Sequence, residues 1–113
     1  MVEGSKHYDV ICIGAGSGAM GVGRRAANFG KKVAMIENKR IGGTCVNVGC
    51  VPKKVMFNLA NFLEQAEVMK SYGVSYGELK LDFAAFKTAR DTYVKRLNGI
   101  YHNNIKGQNI DFY

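Results

Sequence analysis

Apolar positions in this chain switch between short continuous runs and a helical period, and the order of the switches predicts an α/β architecture. Residues 8–13 read YDVICI, a short, β-branched and nearly continuous apolar run. That pattern is expected of a strand buried on both faces. The run enters Gly14-Ala15-Gly16-Ser17-Gly18-Ala19, and helical spacing follows from about residue 17 to residue 29, with Gly30 at the C-cap position. Gly21 and Gly23 lie inside this helix and are poor helix formers, so they imply close packing against a neighbour. Residues 32–37 (KVAMIE) predict a second strand. Strand, helix and strand together make a βαβ unit with parallel strands and a right-handed crossover.

A loop is expected over residues 38–44, followed by a cysteine-containing segment over 45–54, where Pro52 suits the first turn of a helix. Val55, Met56, Leu59, Phe62, Leu63, Ala66 and Met69 then recur at helical spacing as far as Tyr72-Gly73. After a turn-rich stretch over 73–80, Asp82 is the expected N-cap of a second amphipathic helix. Its expected apolar face is Phe83, Phe86, Tyr93, Leu97, Ile100 and Tyr101, and Gly107 its stop. Residues 109–113 read as the start of a strand. A doubly wound sheet needs more strands than two and a stub, so the chain is expected to stop inside a domain.

Composition narrows the function classes. A length of 113 residues allows one domain, and 47% hydrophobic content with a single proline argues against disorder. The net charge of +7 is spread along the chain apart from Arg24-Arg25 and Lys53-Lys54, with no basic arm, so nucleic acid is not the expected partner. Anionic small molecules fit better. No apolar run approaches the roughly 20 residues of a membrane span, so no membrane association is expected. Only a few polar residues precede the first strand, so no signal peptide is expected. A cytoplasmic location follows, and a removed mitochondrial targeting segment is compatible with it.

Gly14-x-Gly16-x-x-Ala19 fits the pattern GxGxxG/A. The first glycine makes a tight turn, the second admits a pyrophosphate, and the small third residue lets helix and strand pack. Backbone N–H groups at the helix start face the phosphates. Glu37 follows Ala19 by 18 residues, at the end of the second strand. A carboxylate there accepts a ribose 2′-hydroxyl and repels a 2′-phosphate, which selects FAD or NAD over NADP. Ser17 and Gly18 are further phosphate-binding candidates, with Ser17 alternatively a plain helix cap.

Cys45 and Cys50 sit in GGTCVNVGCVPKK, residues 42–54. As a structural disulfide the pair would close a tiny loop worth roughly 2 kcal/mol. As a zinc site it would need two further ligands, and only Cys12, His7 and His102 remain, none at a suitable spacing. No metal is expected. As a redox pair it needs nothing more: flanking glycines, an adjacent helix start and Lys53 all favour a thiolate. A dithiol exchanges two electrons, and a flavin passes two electrons between a hydride donor and a disulfide.

These residues closely resemble the flavin disulfide reductase family, and the likeness extends over essentially the whole chain. The resemblance implies that residues 1–113 are the N-terminal part of a Rossmann-like FAD-binding domain, with a parallel sheet and crossover helices, incomplete here. The NADPH-binding domain, the dimerisation domain and an acid–base histidine would lie outside this chain. It implies FAD bound here, NADPH bound by the missing domain, glutathione disulfide as substrate, and a homodimer as the complete enzyme. Electrons would pass from NADPH through FAD and the Cys45–Cys50 disulfide to oxidised glutathione, while this chain alone would be inactive.

Residue by residue, Cys45 resembles the interchange thiol that carries the mixed disulfide, and Cys50 the charge-transfer thiol against the flavin. Gly14, Gly16, Ser17, Gly18, Glu37, Thr44, Cys45 and Lys53 match FAD-binding positions, Lys53 near the reactive end of the flavin ring. Ser17, Arg24 and Tyr101 match positions lining the disulfide-substrate site. Read without the resemblance, Arg24 is a solvated helix charge, Tyr101 a core aromatic, Cys12 a small buried strand residue, and His7 and His102 surface residues. Ala19 departs from the glycine frequent in the family, at a position where alanine packs. Members acting on lipoamide resemble IPSK after the second cysteine; animal-type members acting on thioredoxin usually read IPKKLM there and lack arginine at position 24, and those acting on trypanothione carry tryptophan at position 24. A thioredoxin- or trypanothione-reducing member, or a catalytically incomplete flavin-binding fragment, is the alternative.

Overall fold

A computed structural model describes residues 4–113. The elements run β1 (Val10–Ile13), α1 (Ser17–Asn28), β2 (Val33–Ile36), α2 (Gly43–Asn47), α3 (Cys50–Lys70), α4 (Phe83–Lys106) and β3 (Ile110–Phe112). The strands form one parallel sheet in the order β1-β2-β3. Val10 pairs with Val33 and Cys12 with Met35, while Val33 pairs with Ile110. Alternation then puts Val10, Cys12, Val33, Met35, Ile110 and Phe112 on one face, and Ile11, Ile13, Ala34, Ile36 and Asp111 on the other.

The first face is the core side. Cys12, Val33, Met35 and Ile110 cluster there with Met20 of α1 and Ile105 of α4, and Tyr101 packs on the cluster's edge. Gly23 permits this contact: a Cβ in its place would come within 2.9 Å of Met35 Cε and 3.5 Å of Cys12 Sγ. Gly21 is different. It is exposed, with nothing within 4 Å of the same position, so close packing does not account for it. The helix stops where the sequence indicates, one residue earlier in register: Phe29 is the C-cap, and Gly30 and Lys31 donate to Ala27 and Ala26 carbonyls at 2.9 and 3.1 Å. That is the Schellman closure of a helix end.

Four expectations are corrected. β1 is covered on one face: Cys12 is 7% exposed whereas Ile13 is 90% exposed, because helices pack on one side of the sheet alone among the described residues. Within the expected 38–44 loop, helix already begins at Gly43, so Cys45 lies on a short helix. In α4 the buried stripe is Val94, Leu97, Asn98, Tyr101 and Ile105, while Phe83, Tyr93 and Ile100 are exposed. Val94 and Ile105 face inward because they meet α2 and the sheet; Phe83 lies near the far end of a long helix pair, beyond that core. The helix pair α3–α4 gives the molecule extents of 75 × 26 × 19 Å. Of the expected α3 face, Val55, Leu59, Leu63 and Ala66 are half-buried, but Met56, Phe62 and Met69 are exposed. Asp82 is the N-cap of α4 as expected, accepting from the Ala85 N–H at 2.9 Å. No helix of the described residues is long and apolar enough to cross a membrane.

Candidate active site

The glycine loop joins β1 to α1. Gly14 adopts φ +100°, a conformation that side chains rarely accept, and its N–H donates to the Ile36 carbonyl at 2.6 Å. This turn lifts the chain over the end of β2 and starts α1 at the N-cap Gly16. The cap is bare: no side chain caps α1, and its first turn holds no acidic residue. Ser17 is therefore the first helical residue and not the cap. The orphan N–H groups and positive dipole end of a twelve-residue helix are left for an anion.

Glu37 closes the other side of the loop. Its carboxylate accepts from the Ala15 N–H at 2.9 Å and from the Lys39 N–H at 2.9 Å. These bonds, the one from Ala15 foremost, hold its pKa below the ordinary carboxylate value. The acid is thus ionised and fixed against the glycine loop. Two carboxylate oxygens offer about four acceptor positions, so capacity remains for a sugar hydroxyl. Glu37, Lys39, Arg40, Gly43, Thr44 and Val48 line a cleft of about 360 Å³. A larger one, about 620 Å³, shares Asn47 and Val48 and extends to Pro52, Lys53 and Phe57. Together they make a trough from the acid past Thr44 to Lys53.

The cysteines sit on consecutive helices. Gly49 forces the break between α2 and α3: a Cβ there would lie 2.9 Å from the Thr44 carbonyl oxygen. Cys50 thereby begins α3 and is exposed, while Cys45, half-buried, is the third residue of α2. Both are free thiols in this structure. The neighbouring Cys45 sulfur raises the Cys50 pKa above the usual thiol value; the backbone at Cys50 and the Lys53 charge oppose this more weakly. The expectation that the surroundings simply favour a thiolate is thus qualified for Cys50: its largest influence is the other sulfur, and it holds the proton on.

Two residues that position this site were not singled out in the sequence. Asn47 donates through Nδ2 to the Ile41 and Gly43 carbonyls at 3.0 and 2.9 Å. Asn98 of α4 donates to the Ile41 carbonyl at 2.7 Å and to Asn47 Oδ1 at 3.1 Å. Between them they pin the glycine turn before α2 to α4, and so fix where Cys45 stands. The available signal was the polar Asn98 inside the stripe Val94, Leu97, Tyr101, Ile105, since a polar group on a buried stripe needs partners.

The structure brings Glu37 to the glycine loop, Thr44 into the trough, and Cys45 beside Cys50. Arg24 and Tyr101 stand apart from the trough. Arg24 lines a separate cleft with Gly21, Arg25, Asn28 and Phe29, and its Nε donates to Gln108 Oε1 at 2.9 Å. Tyr101 is half-buried against the sheet core. Among the described residues, no three potential metal-ligating side chains gather.

The structure thus combines an open parallel α/β sheet, a bare helix start at its first turn, an acid at the end of the second strand, and two neighbouring thiols on the following helices. Comparison with known proteins gives the family. The pattern described as pyridine nucleotide-disulphide oxidoreductase matches residues 8–113, and the chain belongs to that family. It is 48% identical over 120 residues to a glutathione reductase of Debaryomyces hansenii, covering 98% of this chain and 24% of that protein. With the glutathione reductase of Yarrowia lipolytica it shares 47% identity over 110 residues, 94% of this chain and 23% of the relative. With that of Schizosaccharomyces pombe the figures are 44% over 110 residues, 96% and 24%. The chain spans about a quarter of the length of these relatives.

Proposed function

We propose that this chain is the N-terminal part of the FAD-binding domain of an NADPH-dependent glutathione-disulfide reductase that acts as a homodimer in the cytoplasm. The observation that carries the reading is a bare α1 N-terminus beside ionised Glu37, whose cleft Thr44 also lines, followed by the neighbouring free pair Cys45 and Cys50 on α2 and α3. The residues present fit FAD. Gly14, Gly16, Ser17 and Gly18 offer backbone N–H groups to its pyrophosphate, Glu37 an acceptor to a ribose hydroxyl, Thr44 and Lys53 line the trough, and Cys45 lies on α2 next to Thr44. FAD, when bound, relays two electrons between a nicotinamide and a disulfide. NADPH would be held by a domain outside this chain.

The chain's own chemistry is thiol–disulfide exchange. The Cys45 sulfur attacks one sulfur of glutathione disulfide; the S–S bond breaks, one glutathione leaves as thiolate, and Cys45 carries the other. Cys50, having lost its proton, then attacks Cys45, forming the Cys45–Cys50 disulfide and releasing the second glutathione. The dithiol loses two electrons and two protons, and the glutathione disulfide gains both. Ser17, Arg24 and Tyr101 serve the substrate, Arg24 as the cation for a glutathione carboxylate.

The two thiols separate in a spectroscopic test on the complete reductase. On two-electron reduction, Cys45→Ser retains a long-wavelength thiolate-to-flavin absorption band, because Cys50 remains; Cys50→Ser loses it. The reverse outcome would exchange the two roles, and a protein that retains no flavin would overturn the reading.

A further inference from the structure

We infer that Gln108 is a positioning residue that sets the orientation of the Arg24 guanidinium toward an anionic disulfide substrate; this rests on the substrate role of Arg24 proposed above. Arg24 is half-buried on α1, and its cleft of about 360 Å³ is lined by Arg25 as a second cation and by no carboxylate. Neither arginine joins an ion pair among the described residues. The cleft is therefore electropositive and uncompensated, as a site for a carboxylate should be.

A free arginine in such a place would sample many rotamers. Here a residue from the other end of the chain bonds it in one orientation. Gln108 follows the α4 C-cap Gly107, and its Oε1 accepts from Arg24 Nε at 2.9 Å. Its Nε2 donates to Asn28 Oδ1 at 2.7 Å. The amide orientation follows from chemistry: Nε is a donor only and must meet oxygen, which leaves the NH₂ group for Asn28. Asn28 lies four residues beyond Arg24 on the same face of α1, so the chain Arg24–Gln108–Asn28 closes on one helix.

The consequence concerns which donors remain. A guanidinium presents five N–H groups in a planar fork, and a carboxylate can take them side-on through Nε or end-on through the two Nη atoms. With Nε engaged by Gln108, the end-on pair is left for the ligand. Gln108 also ties this cation to the segment between α4, which carries Tyr101, and β3. Orientation of this kind acts equally on bound substrate and transition state, so it governs KM and leaves kcat.

The test is a double-mutant cycle in the full-length, flavin-loaded reductase, with glutathione disulfide as the varied substrate. Gln108→Met keeps the size and removes the acceptor. It is expected to raise KM about three- to tenfold with kcat and flavin reduction by NADPH holding, against a rise of about ten- to a hundredfold in KM for Arg24→Ala. In the Arg24→Ala background, Gln108→Met is expected to add nothing. Gln108→Glu supplies a competing carboxylate and should raise KM further than Gln108→Met, with an effect that weakens in salt. If Arg24→Ala leaves KM unchanged, the substrate role of Arg24 is wrong and this inference falls with it. If Arg24→Ala raises KM but neither Gln108 variant does, the substrate role stands and the inference is overturned. An equal Gln108→Met effect with and without Arg24 overturns it as well, since the glutamine would then act by another route.

Discussion

The same substitution, glycine to alanine, should have opposite signs at Gly43 and Gly99. Gly43 opens α2 with φ +61°, in the left-handed region where a Cβ costs roughly 1–2 kcal/mol. A Cβ there would also stand 2.9 Å from Gly16 Cα, well inside the ~3.5–4.0 Å optimum between carbons. The atom it meets is backbone, and the Gly16 and Gly42 chains are bridged, so neither side yields cheaply. Adding an overpacking cost of about 1–3 kcal/mol gives a loss of about 2–5 kcal/mol for Gly43→Ala. Gly99 lies in the interior of α4, exposed, with nothing within 4 Å. Alanine there should stabilise by about 0.5–1 kcal/mol through helix propensity and a less disordered unfolded chain. Thermal unfolding separates the two, at on the order of 4 °C per kcal/mol for a domain of this size. In the complete reductase proposed above, Gly43→Ala should also lose flavin on gel filtration, because Gly16 is displaced. A Gly43→Ala protein that melts with the parent, or a Gly99→Ala protein that melts below it, would refute the reasoning from Cβ surroundings.

Asn98→Ala should cost about 1–2 kcal/mol, since it strips a donor from the Ile41 carbonyl and Asn47 Oδ1, and chemical denaturation would read it directly. Glu37 has a lowered folded pKa, so its contribution is present above the ordinary carboxylate value of 4.5 and lost as pH falls through the lowered one. Glu37→Gln should therefore flatten the acid limb of a melting-temperature-against-pH curve, and a limb unchanged from the parent would contradict this. Because Cys45 is the largest cause of the raised Cys50 pKa, Cys45→Ala should lower it. Alkylation of Cys50 by iodoacetamide near pH 8 should then speed up, whereas a slower reaction would put the cause elsewhere.

Features fixed by a few consecutive residues were legible in the sequence. The Gly14 turn, the Asp82 cap, the stop at Gly30 and Pro52 in the first turn of α3 each depend on local backbone chemistry. The alternation of strand and helix periods likewise gave the order of β1, α1 and β2. Features that depend on a distant partner were not legible. Residues 43–47 read as loop and cysteine segment because a helix of five residues is too short to write a period. The inward face of α4 was misread because its aromatics dominate the pattern, whereas Val94 and Ile105 are the residues that meet the core. At the site, the glycine loop, Glu37 and the cysteine pair were visible by residue type and spacing. The asparagine clamp and the Arg24–Gln108 bond join positions 51 and 84 residues apart, and no local signal marks such a pairing.

The misreading of β1 has a physical cause that bears on how the site is built. A parallel strand reads as continuously apolar when both of its faces are covered. Here α1 and α4 cover one face, and Ile11, Ile13 and Ile36 stand 57%, 90% and 41% exposed on the other. A polar network also crosses the sheet: the Tyr8 hydroxyl bonds Asp111 and Tyr113, and Lys6 bonds Tyr113. It joins the start of β1 to β3, and Ala34 on β2 between them is small and 2% exposed. The face is thus polar toward β3 and apolar at the β1 end that leads into the Gly14 turn. Open apolar surface at that end leaves the carboxyl ends of the strands accessible, and in open α/β sheets ligands bind there. An additional layer over Ile11, Ile13 and Ile36 would wall the nucleotide trough as it buried them. Core completion and site completion would then be one event, so that polar substitution at Ile13 should weaken flavin retention as well as stability.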